Sequence, residues 1–225
     1  MINKTFWVNK KVLITGHTGF KGSWLSLWLN KLGSNVFGIS LNPESELNLF
    51  HQLNLKDYIN HNICDINDLV NLERLILEIQ PDIIFHLAAQ PLVRKSYESP
   101  ISTWETNVIG TINVLNSIKK LKKQCIGIMI TTDKVYENKN WLYGYREIDN
   151  LGGHDPYSSS KAACELAINS WRKSFFINKE DTKHFIASAR SGNVIGGGDW
   201  SEDRILPDIV KALNTGKKLK VRNPK

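Results

Sequence analysis

Cysteine is scarce in this chain: Cys64, Cys125 and Cys164 are the three among 225 residues, and they are scattered. Without a C-x-x-C pair or an even count they build neither a disulfide framework nor a zinc motif, so the reading is a reducing compartment and no metal. No apolar run approaches the length of a membrane span, and the opening residues carry no hydrophobic signal region. A cytoplasmic protein with no membrane partner is the expectation. Acidic residues are outnumbered, 22 against 29 basic ones, which leaves a net charge of +7. The lysines are dispersed, however, and Lys119, Lys120, Lys122 and Lys123 gather at the end of an expected helix, where cations complement the dipole and stay solvated. That pattern describes a solvated basic face with room for an anionic nucleotide, and no nucleic-acid partner is expected.

What the chain does contain is alternation. Strand-like runs are expected at 12–15, 35–40, 60–64, 83–87, 126–131 and 185–189, with helices at 22–32, 67–80, 101–121 and 156–178. Short apolar strands divided by helices predict an α/β fold, a doubly wound parallel sheet of the Rossmann type. In such a sheet, ligands gather at the carboxyl ends of the strands.

The first strand runs into Gly16-His17-Thr18-Gly19-Phe20-Lys21-Gly22 and re-emerges as a helix. Gly16 permits a tight turn, Gly19 lets backbone N–H groups approach a phosphate, and Gly22 lets the helix pack against the strand. The helix N-terminus then presents its positive end to the anion. The spacing is G-x-x-G-x-x-G, and its position between a strand and a helix is what gives it weight.

Four other strand ends carry candidates. Asp65-Ile66 follow the third strand, placed to meet an adenine, although Asp65 reads equally well as a helix N-cap. Ala88-Ala89-Gln90 follow the fourth, Thr132-Asp133-Lys134 the fifth, and Ser191-Gly192-Asn193 the sixth. Tyr157 stands four residues before Lys161, which puts a phenol and an ammonium on one helical face. Pro156 suits the first helical turn, and Ser158-Ser159-Ser160 is poor helix material, so that run points to a site rather than to stability.

Together with Asn107 in Thr106-Asn107-Val108-Ile109-Gly110-Thr111, these residues resemble the extended short-chain dehydrogenase/reductase superfamily. Within it, the runs Gly16 to Leu29, Thr131 to Tyr136 and Arg190 to Trp200 are similar to the nucleotide-sugar 4,6-dehydratases that act on CDP-glucose. The likeness extends over essentially the whole chain. It implies an NAD-dependent lyase that oxidises the sugar at C4, removes water across C5 and C6, and returns hydride to C6. NAD follows from the resemblance and from a redox-neutral cycle; the second strand ends in Ser40-Leu41-Asn42-Pro43, with neither the acid that marks NAD nor the arginine that marks NADP.

The resemblance also implies residue roles. Tyr157, its phenol lowered by Lys161 and by the nicotinamide charge, would deprotonate the 4-hydroxyl; Thr132 would bond the 4-oxygen, and Asp133 would be the acid. Related dTDP-glucose dehydratases place a glutamate base after that aspartate. Here the position is Lys134, either a base of lowered pKa or a cation that steadies the enolate. Cofactor contacts fall to Gly16, His17, Gly19, Phe20, Lys21, Gly22, Asp65, Ile66, Leu87, Ala88, Ala89, Asn107, Thr131, Tyr157, Lys161, Ser191 and Asn193; substrate contacts fall to Gln90, Asn193 and Arg204. A homo-oligomer, dimer or tetramer, is expected. The expected domains are a cofactor domain over 1–190 and, over 191–225, the start of a sugar-nucleotide region that stops early. An epimerase or reductase of the same superfamily, or a non-catalytic dinucleotide-binding protein, are the other readings.

Overall fold

The apolar runs pair edge to edge as one parallel sheet in the order β3-β2-β1-β4-β5-β6, with β1 at Lys11–Thr15, β2 at Asn35–Ser40, β3 at Asn60–Ile63, β4 at Ile83–His86, β5 at Cys125–Ile130 and β6 at His184–Ala189. A computed structural model describes residues 3–43, 45–177, 184–219 and 221. Every expected strand is present within a residue of its expected bounds. Register is set by pairs such as Val12 with Val36 and with Ile83, and Ile84 with Gly127.

Alternation along β1 sends Val12 and Ile14 to one face and Leu13 to the other, and each face has its own core. Val12, Ile14 and Ile83 pack with Leu29, Phe50 and Leu55 on one side. Leu13, Ile84 and Met129 pack with Leu72, Ile76, Leu115 and Ile168 on the other. Burial on both faces is why these strands read as continuous apolar runs.

The helices are α1 (Lys4–Trp7), α2 (Phe20–Lys31), α3 (Leu49–Gln52), α4 (Leu69–Ile79), α5 (Val93–Glu98), α6 (Pro100–Trp104), α7 (Gly110–Lys119), α8 (Pro156–Trp171) and α9 (Ile205–Thr215). The helix expected over 101–121 is interrupted by a π turn at Glu105–Ile109, and the one expected over 156–178 passes into a second π turn at Arg172–Phe176. Residue 178 lies outside the described residues. Sequence periodicity did not reveal α1, α3 or α5, which are too short to display a 3.6-residue repeat. Asn3 and Asn48 start two of them by accepting the backbone N–H of Thr5 and Phe50. The amphipathic α9 lies in the region read only as the start of a second domain; residues 222–225 of that region lie outside the described residues.

The strand order reverses between β1 and β4. The chain leaves β1 for one face of the sheet and β4 for the other, so the loops after these strands diverge and leave a crevice above their carboxyl ends. Gly16 sits there at φ +75, and a Cβ on it would come within 2.7 Å of the Ala88 backbone nitrogen. The two strand ends meet only because that position is glycine.

Candidate active site

The crevice is floored by the turn from β1 into α2. Gly16 N–H donates to the Ile39 carbonyl at 2.8 Å and Gly19 N–H to the Gly16 carbonyl at 3.1 Å, which closes the turn. A Cβ on Gly22 would overlap the backbone of Gly16 and His17, so α2 can approach the strand only with glycine there. Gly19 is the N-cap of α2, and no side chain caps that end, so the first N–H groups of the helix remain for an anion. Lys21 is half-buried beside them. Burial, with the cations of Lys161 and Arg204 nearby, pushes its pKa below the ordinary lysine value. Three cations around an open helix N-terminus fit the diphosphate of a dinucleotide or of a nucleotide sugar.

Some expected contacts are turned elsewhere. The His17 side chain is fully buried and points under the sheet edge, sharing a 2.6 Å hydrogen bond between its Nε2 and His61 Nδ1 and packing edge-on against Phe50. Burial lowers its pKa to about 4, so only its backbone is available to a phosphate. Gly38 makes room for that ring, because a Cβ there would strike it. The Ile66 side chain belongs to the core against Gly110, which leaves its backbone alone to meet an adenine. Asp65 is exposed and accepts the Asn67 N–H at 2.9 Å; the N-cap of α4 is Asp68. At the end of β2, Ser40 shares a 2.7 Å hydrogen bond with Thr18, and the residues that follow directly, Leu41 and Asn42, carry no carboxylate for ribose hydroxyls.

The loop after β4 is held by its own side chains. The Gln90 side chain donates to the Leu92 carbonyl and to Thr103 Oγ1, and its oxygen accepts from the Leu92 N–H, so the amide expected to meet a sugar organises the loop instead. Asn107, expected at the cofactor, is fully buried in the π turn; it donates to Gln90 O and Ser160 Oγ and accepts the Gln90 N–H at 2.8 Å. Beneath the loop, Ala88 N–H donates to Thr15 Oγ1, Thr15 lies 2.7 Å from His86 Nδ1, and His86 Nε2 lies 3.0 Å from Thr111 Oγ1. Because Thr111 gives its proton to the Asn107 carbonyl, His86 must carry its hydrogen on Nε2. Burial lowers the His86 pKa to about 3, and the ring is a neutral strut between β1 and α7.

Tyr157 and Lys161 lie in the first turns of α8, 8% and 5% exposed. Their helix begins with a capping box in which Asp155 Oδ1 accepts the Ser158 N–H and Ser158 Oγ accepts the Asp155 N–H. Ser159 donates to the Gly153 carbonyl and Ser160 to the Tyr157 carbonyl. The serine run therefore has structural work, and its poor helix propensity alone was no sign of a site. The Tyr157 phenol is pushed up by burial, with the neighbouring Thr132 hydroxyl pulling the other way. Lys161 is not what lowers it: its pKa is itself lowered by burial, and its Nζ donates to the Ile130 carbonyl at 3.1 Å.

After β5, Thr132 begins a single 3₁₀ turn, Asp133–Val135, and accepts the Lys134 N–H. Asp133 and Lys134 are exposed, as are Ser191 and Asn193 after β6. The Asp133 N–H donates to the Ser191 carbonyl at 3.0 Å, and a Cβ on Gly192 would lie 3.3 Å from the Asp133 carboxylate. Arg204 is held by Asp199 at 2.9 Å and is close enough to act on Tyr157 and Lys21. Phe20 and Trp24 are roofed by the glycine run after β6: Phe20 faces Gly196, and Trp24 Nε1 donates to the Gly197 carbonyl at 2.9 Å. Among the described residues no cluster of His, Cys, Asp or Glu could hold a metal ion, and no helix is long and apolar enough to cross a membrane.

Sequence reasoning missed a network behind the site, formed by Glu165 and Arg190 with Thr131, Ser188 and Tyr136. The available signal was spacing: Glu165 lies four residues beyond Lys161, as Lys161 lies four beyond Tyr157, on one helical face.

A family profile described as GDP-mannose 4,6 dehydratase matches residues 13–193. CDP-glucose 4,6-dehydratase of Salmonella typhimurium is 48% identical over 226 residues, covering 100% of this chain and 63% of the relative. A solved epimerase of Methanothermobacter thermautotrophicus superposes with a TM-score of 0.84 at 24% identity, over 98% of this chain and 63% of its own. UDP-glucose 4-epimerase of Brucella ovis in complex with NAD superposes with a TM-score of 0.69 at 21% identity, over 82% and 52%. The chain thus spans less than two thirds of the length of each of these relatives.

Proposed function

The chain belongs to the GDP-mannose 4,6 dehydratase family, and from that premise we propose that it is the cofactor-binding and catalytic half of an NAD-dependent lyase that converts CDP-glucose to CDP-4-keto-6-deoxyglucose. The observation that carries this reading is the meeting of Thr132, Asp133, Tyr157 and Lys161 at the carboxyl end of β5, beside a glycine turn and uncapped helix suited to a diphosphate. Residues 191–225 are read as the beginning of the sugar-nucleotide half. All three cysteines are free and buried, which supports action in the cytoplasm.

Bound NAD supplies a hydride acceptor at C4 of the sugar and a donor at C6. The protein's own groups manage the protons. Tyr157 takes the proton of the 4-hydroxyl, and Thr132 holds the oxygen as it becomes a carbonyl. That carbonyl acidifies the C5 hydrogen. Asp133, exposed at the 3₁₀ turn, delivers a proton to the departing 6-hydroxyl, and Lys134 next to it acts on C5 as base or as the cation opposite the enolate. Lys21 and Arg204 neutralise the diphosphates. Burial holds the Tyr157 phenol above its ordinary range, so a cation beside it would ease its ionisation, and an oxidised nicotinamide held in this crevice would supply that charge.

Two finer parts of the reading have their own tests. Among CDP-, UDP-, dTDP- and GDP-glucose, given with NAD, the CDP sugar is expected to yield a 4-keto-6-deoxy product with the highest kcat/KM; equal use of all four would remove the base specificity. A homo-oligomer is supported by the largely apolar hollow lined by Pro100, Ile101, Trp104, Val108 and Ile109 with Glu105, in which Ile101 is 74% exposed. Ile109→Glu should produce a monomer in sedimentation while the fold persists. An unchanged oligomer would place the interface elsewhere.

A further inference from the structure

Glu165 is 5% exposed, on α8 one turn beyond Lys161, and its carboxylate is shared by three elements. Thr131, the residue after β5, donates its hydroxyl to Oε1, and Ser188 of β6 donates to Oε2 at 3.0 Å. Arg190, the residue after β6, closes a two-pronged pair, with Nε on Oε1 at 3.1 Å and Nη2 on Oε2 at 3.0 Å. The remaining guanidinium nitrogen donates to the Tyr136 hydroxyl at 2.9 Å and to the Glu147 carbonyl at 3.3 Å, and the guanidinium lies 4.9 Å over the Tyr136 ring. One ion pair therefore fixes where β5 and β6 end relative to α8, and where the chain after the 3₁₀ turn is anchored.

Stability alone does not call for this arrangement. Removing two charges from water is costly, and apolar side chains of similar volume hold buried positions as well. What a planar, two-pronged pair adds is direction. Thr132 and Asp133 follow Thr131 directly, the Asp133 N–H is tied to Ser191 one residue past Arg190, and Tyr157 and Lys161 stand on the helix that carries Glu165. We propose that Glu165 and Arg190 are positioning residues: through Thr131, Ser188 and Tyr136 they hold the Thr132–Asp133 turn at a fixed distance from Tyr157 and Lys161. Neither touches the reacting atoms. A turn displaced by about 1 Å forfeits on the order of 10²-fold in rate. The inference uses the dehydratase reading for its kinetic arm and not for its structural arm.

The test is the double substitution Glu165→Leu with Arg190→Met, which removes both charges together and so leaves no orphaned ion in the fold. The melting temperature should stay within a few degrees, KM for CDP-glucose within about threefold, and kcat should fall by about 10²-fold. Amide exchange at Thr131 and Asp133 should quicken at least about tenfold, with β1 and β2 unchanged. A folded double variant with parental kcat and parental exchange would overturn the proposal. If the parent protein forms no 4-keto-6-deoxy sugar, the functional reading falls, and the exchange measurement alone decides the positioning role. If the double variant does not fold, Arg190→Lys keeps the charge and loses the two-pronged geometry; kcat should then fall about tenfold at unchanged KM, and parental kcat would count against the pair.

Discussion

Tyr157→Phe should abolish oxidation of the sugar while leaving the protein folded. The substitution deletes one oxygen from a ring that is 8% exposed, and the backbone N–H of residue 157 keeps its bond to Ser96 Oγ at 3.2 Å. No other phenol stands in the first turns of α8, and Lys161, whose Nζ is directed at the Ile130 carbonyl, cannot take a proton while it is cationic. The expected loss is the general-base contribution of about 10²–10⁴ in turnover, or roughly 3–5 kcal/mol of transition-state stabilisation. Mixing the variant with NAD and CDP-glucose should give no reduced-nicotinamide absorbance in a single turnover. Near-parental turnover would mean that another group accepts the 4-hydroxyl proton.

Gly19→Val should remove NAD binding and spare the fold, a separation that the other two loop glycines do not permit. Gly19 has an ordinary extended backbone, φ −76 and ψ 167, is exposed, and a Cβ on it meets only the Gly16 carbonyl at 3.3 Å. A valine there needs a shift of a few tenths of an ångström and weakens the helix cap by about 1 kcal/mol. Its branched side chain then occupies the space in front of the helix N-terminus where a phosphate must lie. Gly16 is different, since it is held at φ +75 against Ala88, and so is Gly22, where a Cβ would overlap the Gly16 and His17 backbone. Substituting either is expected to open the turn itself. Calorimetry on folded Gly19→Val should show NAD affinity reduced at least about 10²-fold; undiminished affinity would separate the loop from the cofactor.

How far the sequence disclosed all this follows from the range of each interaction. Strand and helix positions depend on local periodicity, so β1 to β6 and the long helices α2, α4 and α8 were legible nearly to the residue. The glycine turn was legible because each glycine answers a backbone demand that recurs at fixed spacing. What the sequence concealed is where side chains turn. His17 looks like a loop residue facing a phosphate until His61, on β3, and the hollow at Gly38 are seen to capture it. Gln90 and Asn107 resemble ligand contacts because they are polar residues in the right segments, yet the Asn107 side chain is spent on the Gln90 backbone 17 positions away and the Gln90 side chain on Leu92 and Thr103. The ion pair of Glu165 and Arg190 joins residues 25 apart and has no local signature beyond a four-residue spacing on α8. Short helices come from tertiary packing and, for α3, from the Asn48 cap, not from pattern; α5 has no side-chain cap.

The chemistry that separates a dehydratase from an epimerase on this fold lies at C5 and C6 of the sugar. Under the proposed function both would use the glycine turn, Tyr157 and Lys161, and only a dehydratase needs groups that act at C5 and C6; Asp133 and Lys134 are the exposed pair beside the Thr132 hydroxyl. The most direct measurement is therefore the fate of isotopes in CDP-glucose labelled with deuterium at C4. Run in ordinary water, the reaction should give a 4-keto-6-deoxy sugar with the label at C6; run unlabelled in heavy water, it should place one deuterium at C5. Lys134→Met, in the same experiment, should slow incorporation at C5 more than the initial oxidation, so that reduced nicotinamide accumulates on the protein. A product epimeric at C4 that retains its label there and gains nothing at C5 would contradict the account and remove the roles given to Asp133 and Lys134.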